Sequence, residues 1–265
     1  MYAPHKTGHA PGLARAPAHA TAEPGPEHTE FARHDLVWLS DAGWQAARAR
    51  AAQASPADEA ALAQWQRNGW PAITRRRDAD LPAPVGRIGE NGYAESRAAE
   101  EICLGIPLPP DPVSGIKRRI ALRARRSEVA RATPPLPLFS CLPAAGQWQT
   151  ELGVLAARAA GLHLRTYGSL AMQTLTGLPC FTPTSDIDIL FTPSSVAQVQ
   201  TGLDLLAHFA TRLPLDGEIV FPGDCAVSWK EWLSAVATRS RVLIKEMTRV
   251  RLADPAELLA LLEAR

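Results

Sequence analysis

The sequence predicts an α/β (α+β) protein of two domains, the C-terminal one built on a mixed sheet with flanking helices and a smaller N-terminal α/β domain before it. Two observations carry this prediction. From about residue 147 onward, stretches of helical periodicity alternate with short apolar β-rich runs, which is the order of a layered α/β domain. Ahead of it, the Pro-rich "PPLPLFSCLP" interrupts the chain and places a domain boundary near residues 133 to 145.

Residues 1 to 30, rich in Ala, Pro, Gly and His with almost no large apolar side chain, are read as a disordered tail. The N-terminal domain is assigned to 31–140 and the C-terminal domain to 141–265. In the first, "HDLVWLS" reads as a strand, Ala42 to Asn68 as helix, and "WPAITRRRD" as a strand entering basic residues. Leu81 to Gly115 contains "LGIPLPPDPVSG" and is expected to be loop with short extended pieces, a candidate substrate lid. "GIKRRIALRARRSEVARAT" reads as a helix, and its basic residues (Lys117, Arg118, Arg119, Arg123, Arg125, Arg126) as a solvated helix face, with contact to an acidic protein or to phosphates as the alternative.

The C-terminal half reads as helix (147 to 160), strand (163 to 167), strand (187 to 191), helix (195 to 212) and strand (215 to 221). A short strand at "CAVSW", a helix from Lys230, a strand "RVLIKEM" and a last helix follow. Asp254 suits the N-cap of that helix and Pro255 its first position.

Composition removes several function classes. The net charge is +1 in 265 residues, so no bulk electrostatic partner such as a nucleic acid polymer or an anionic membrane is expected. Cys103, Cys141, Cys180 and Cys225 are widely spaced and signal neither a zinc site nor a disulfide framework. With no long apolar run and no apolar N-terminal stretch, the expected location is cytoplasmic.

The informative stretch is "YGSLAMQTLTGLPCFTPTSDIDILF". Asp186 and Asp188 flank one apolar residue at a strand start, and residues two apart on a strand share a face. Two neighbouring carboxylates repel unless a cation lies between them, and hard oxygen ligands suit Mg²⁺, with Mn²⁺ the alternative. Gly168 and Ser169, between a strand and a helix, suit contacts to phosphate oxygens. In "PLDGEIVF", Asp216 and Glu218 share a strand face; Glu218 is favoured as the third metal carboxylate, and Asp216, beside Gly217, as a residue that shapes the turn. His34 and Asp35 point to opposite strand faces and are read as cap or core residues.

The series strand, Gly-Ser, helix, Asp-x-Asp strand and later strand carboxylate resembles the nucleotidyltransferase superfamily. Together, "HDLVWL", "YGSLAMQTLTGLPCFTPTSDIDILF", "LDGEIVFPGDCAVSWKEW" and "VLIK" look like the phosphoribosyl-dephospho-CoA transferases of malonate decarboxylase, with Met172 where a tryptophan is expected. That resemblance implies a nucleotidyltransferase-like catalytic domain and transfer of a phosphoribosyl-dephospho-CoA group from 2′-(5″-triphosphoribosyl)-3′-dephospho-CoA. The acceptor it implies is a serine of the acyl carrier subunit of malonate decarboxylase, with loss of pyrophosphate. It further implies Asp186, Asp188 and Glu218 at Mg²⁺ and Gly168, Ser169 and Lys245 at the donor. The rival expectation is another metal-dependent nucleotidyltransferase acting on a small molecule or protein.

Overall fold

The computed structural model describes residues 30–81 and 100–264. The expected tail, and most of the expected lid at 82–99, lie outside these residues.

Two mixed α/β layers form, each on its own sheet, and the chain passes from one sheet to the other between Thr133 and Leu136. The first sheet has strands β1 (Leu36–Leu39), β2 (Ala72–Thr74), β3 (Glu101–Pro110), β4 (Lys117–Arg125) and β5 (Val129–Thr133), in the spatial order β4-β3-β2-β1-β5. Helices α1 (Asp41–Ala54) and α2 (Pro56–Arg67) cover one of its faces. They replace the single expected helix because Pro56, which has no amide hydrogen, keeps Ser55 extended. Ser55 ends α1 and caps α2, accepting from the Asp58 amide at 3.3 Å.

The largest departure from the expected elements is the hairpin of β3 and β4, which the sequence pattern placed in a loop and a helix. Beyond Gly105, β3 has a ladder partner on one side only, so Pro107, Pro109 and Pro110 sit where a missing amide is tolerated. In β4, Ile120, Leu122 and Ala124 point into the core, and Lys117, Arg119, Arg123 and Arg125 to the other face. That is a period of two, which the density of arginines and alanines obscured as helix.

The second sheet runs β12-β11-β10-β9-β8-β7-β6, with β6 (Leu136–Pro137), β7 (Arg165–Tyr167), β8 (Ile187–Phe191), β9 (Leu215–Phe221), β10 (Cys225–Ser228), β11 (Val242–Lys245) and β12 (Val250–Ala253). Only β8 and β9 pair in parallel, joined by the crossover helix α5 (Val196–Phe209); the remaining neighbours are antiparallel. Helices α3 (Gln149–Arg158), α4 (Gly168–Thr176), α6 (Trp229–Thr238) and α7 (Pro255–Glu263) complete the domain. Asp254 forms a capping box with Glu257 at the start of α7, and Pro255 holds its first turn. The short strands β6 and β12 were not anticipated.

The two layers share packing: Met172 of α4 and Cys180 are buried in the core of the N-terminal sheet, beside Leu104 and Ile106. This contact leaves a cleft of about 460 Å³ between the open face of the first sheet and the β7–α4 turn. Among the described residues, no helix is long and apolar enough to cross a membrane.

Candidate active site

Asp188 lies in the middle of the second sheet, with Tyr167 of β7 as its antiparallel partner and Asp216 of β9 as its parallel one. Asp186 precedes β8 and is exposed, whereas Asp188 is half-buried. Burial, then the negative charges of Asp216 and Asp186, push the Asp188 carboxyl up to about 7, while Lys117 and Arg119 oppose that rise. Among the described residues, no donor hydrogen-bonds the carboxylate of Asp186 or Asp188. The site therefore concentrates negative charge without a fixed counter-ion.

Gly168 explains how Asp188 fits. Its φ is +69°, a conformation that favours glycine, and a β-carbon there would overlap the Asp188 carboxylate. Gly168 opens α4 directly after β7, so Ser169 sits in the first turn of that helix. Lys117, reaching across from β4, donates to Ser169 Oγ and to Ser185 Oγ, both at 3.0 Å. Among the described residues neither partner of this ammonium is acidic, so it remains available to phosphate.

Glu218 stands differently from the expectation that it completes a metal set. It is 4 % exposed and ringed by cations: Lys245 Nζ donates to Oε1 at 2.9 Å, and Arg33 holds both oxygens at 3.2 Å. His34 Nε2 lies 3.4 Å from Oε2. Burial by itself would raise the Glu218 carboxyl, but His34, Arg33 and Lys245 outweigh it and hold the group well below the usual range. Its oxygens are committed to joining the two layers. Gly217, at φ +135° and against the Ile189 backbone, separates the two carboxylates; the ladder sets Asp216 beside Asp188 and Glu218 beside Leu190, so they share a face as expected and differ in their surroundings. Asp216, half exposed beside Asp188 and 3.6 Å from Lys230, is the carboxylate that joins the aspartate pair.

Lys245 accordingly serves Glu218, and its carbonyl accepts from Arg33 Nη1 at 3.4 Å, although it still lines the cleft. His34, read from the sequence as a cap or core residue, has φ +72° and packs its ring 4.0 Å from that of Tyr167 at the cleft wall. Lys117 and Arg119, for which a solvated helix face is the favoured expectation over phosphate contact, stand on a strand and line the cleft; the alternation in β4 is the signal that places them there.

The aspartates fit a hard divalent ion. Among the described residues, no group of three or more His, Cys, Asp or Glu side chains forms a ready metal cage. Magnesium needs none, because it takes one or two carboxylates and completes its shell with water and substrate phosphates.

Comparison with known proteins agrees with this two-part construction. The family description "Phosphoribosyl-dephospho-CoA transferase MdcG N-terminal domain" matches residues 32–91 and 93–135, and the corresponding C-terminal domain matches 137–256. A phosphoribosyl-dephospho-CoA transferase of Xanthomonas euvesicatoria pv. vesicatoria is 34 % identical over 232 residues, covering 85 % of this chain and 95 % of the relative. Relatives of the same name from Xanthomonas campestris pv. campestris (strain 8004) and Bradyrhizobium diazoefficiens are each 36 % identical, over 83 % and 84 % of this chain and 92 % and 89 % of theirs. No solved structure matches the chain. Fold, site and relatives define a transferase. The chain belongs to the phosphoribosyl-dephospho-CoA transferase family, in both its N- and C-terminal domains.

Proposed function

We propose that this transferase moves the phosphoribosyl-dephospho-CoA group of 2′-(5″-triphosphoribosyl)-3′-dephospho-CoA onto a serine of the malonate decarboxylase acyl carrier protein, as a metal-dependent nucleotidyltransferase. The observation that carries the reading is the grouping of Asp186 and Asp216 near enough to Asp188 to raise its carboxyl, beside Gly168, Ser169 and Lys117, whose ammonium meets only the hydroxyls of Ser169 and Ser185 among the described residues.

Asp188, with Asp186 and Asp216, would hold Mg²⁺ (or Mn²⁺), which when bound neutralises charge on the donor phosphates. Lys117 and the first turn of α4 hold the phosphate oxygens, and the hydroxyl of Ser169 passes from Lys117 to phosphate. The carrier serine oxygen attacks the α-phosphorus. A phosphodiester bond forms there, the bond to the bridging oxygen of the β-phosphate breaks, and pyrophosphate leaves with that electron pair. The hydroxyl proton passes to Asp216, a half-exposed carboxylate beside Asp188. Positioning and charge neutralisation supply most of the rate in such a displacement.

The test is the intact mass of the carrier subunit after incubation with the protein, donor and Mg²⁺, against an EDTA control. A metal-dependent gain equal to the phosphoribosyl-dephospho-CoA group supports the reaction. No gain, with donor and fold verified, removes it.

A further inference from the structure

We propose that the open face of the N-terminal sheet is the subsite for a nucleoside diphosphate, the adenosine diphosphate part of the dephospho-CoA donor; this rests on the donor identity given above. A donor of that kind carries two separate polyphosphates. The aspartates, Lys117 and Ser169 can serve only the one that reacts, so the other half of the molecule needs its own place.

The register of the sheet supplies it. Ile73 of β2, Gly105 of β3 and Ala121 of β4 stand side by side on the face away from α1 and α2. All three line the cleft. On one side of this apolar row stand Pro107 and Arg119, paired across the hairpin; on the other stand Arg75, Cys103 and Arg123. The result is an apolar floor with Arg119 on one side and Arg75 and Arg123 on the other.

Gly105 has no structural need to be glycine. A β-carbon there would meet only Arg75 Cδ at 3.9 Å and Ile120 O at 4.0 Å, both ordinary contacts, and its backbone is not in the left-handed region. Glycine weakens a strand, and one that packing does not require marks a close approach by something else. What it provides here is open space above the peptide plane, of the shape that a purine ring fills.

The arginines on the two sides differ in their pairing. Asp78 takes both ends of Arg75 and also binds Arg123, and Arg75 Nε donates to the Leu104 carbonyl at 3.1 Å. Arg75 is thus a fixed planar group suited to lie along a base. Arg119 and Arg76 line the cleft and, among the described residues, meet no acidic partner. Arg119 also lies close enough to Asp188 to act on its titration. A base on the floor with its diphosphate at Arg119 places the reacting phosphates toward Lys117, which lies at the same end of the hairpin.

Calorimetric titration of the full chain with dephospho-CoA, in EDTA, tests this. Binding is expected without metal. Gly105→Val, a β-branched residue suited to strands, should weaken it by about tenfold or more by filling the floor, and Arg119→Gln by about tenfold. Gly105→Ala, a smaller change, keeps the test alive should the valine variant not fold. Asp188→Asn should leave dephospho-CoA binding unchanged while removing Mg²⁺-dependent binding of inorganic tripolyphosphate. No binding of dephospho-CoA, or equal affinity in folded Gly105 and Arg119 variants, overturns the subsite. A carrier that gains mass although these variants bind normally keeps the reaction and loses the subsite. Binding that depends on Gly105 with no mass gain on the carrier does the reverse.

Discussion

The backbone of Gly168 lies directly against the carboxylate of Asp188, so close that a β-carbon at 168 would overlap Asp188 Oδ2. The two residues are twenty positions apart, and the strand ladder of β7 and β8 brings them together. The β7–α4 turn and the start of β8 are therefore one packed unit.

Gly168→Ala tests that unit. It strains a left-handed backbone position, at a cost of about 1 to 2 kcal/mol, and it displaces Asp188. Turnover should fall roughly 100-fold, beyond what the loss of stability explains, because small misplacements of reacting groups are costly. Steady-state rates measured beside thermal melts decide it; wild-type turnover in a folded variant would show that the contact does not matter.

The raised Asp188 carboxyl gives a pH signature. Since its folded value of about 7 lies above the ordinary one, the folded chain binds more protons than the unfolded chain across that interval. Its contribution to stability is fully present below about pH 4 and is lost as pH rises through 7. A divalent ion binds the ionised form, so Mg²⁺ should raise the melting temperature more at pH 8 than at pH 5.5. Equal shifts at both pH values, or the same shift in Asp188→Asn, would count against a metal at this residue.

Asp216→Asn and Glu218→Gln should separate chemistry from architecture. The first is expected to lower turnover by roughly two orders of magnitude with little change in melting temperature. The second leaves Arg33 and Lys245 without their shared carboxylate and should cost about 2 to 3 kcal/mol of stability. Because the folded Glu218 carboxyl is depressed, its contribution is present above about pH 4.5 and fades as pH falls below that. Urea melts at pH 7 and pH 3.5 read this directly: the gap between wild type and Glu218→Gln should narrow in acid.

Lys117→Met should raise KM for the donor about tenfold or more, since a charge-assisted contact to phosphate is lost. Lys117→Arg should recover part of it. If Lys117 only ties the layers together, the melting temperature will drop and KM will stay unchanged.

Much of this was legible in the chain itself. The helices and strands of the C-terminal half carry their own periods and caps, down to Asp254 at the last helix, and the spacing of Gly-Ser and Asp-x-Asp marked the residues that the β7–β8 ladder brings together. Those features are local: a turn, a cap and a shared strand face depend on neighbours a few residues away. What only the tertiary structure decided depends on distant partners. The basic stretch at 117 to 125 became a strand because β3 pairs with it, and Glu218 became an ion-paired group, unlike the half-exposed Asp216, because Arg33, His34 and Lys245 converge on it from opposite ends of the chain. Sequence spacing identifies which carboxylates can share a face; the cations that fold against them determine which are ion-paired and which stay open.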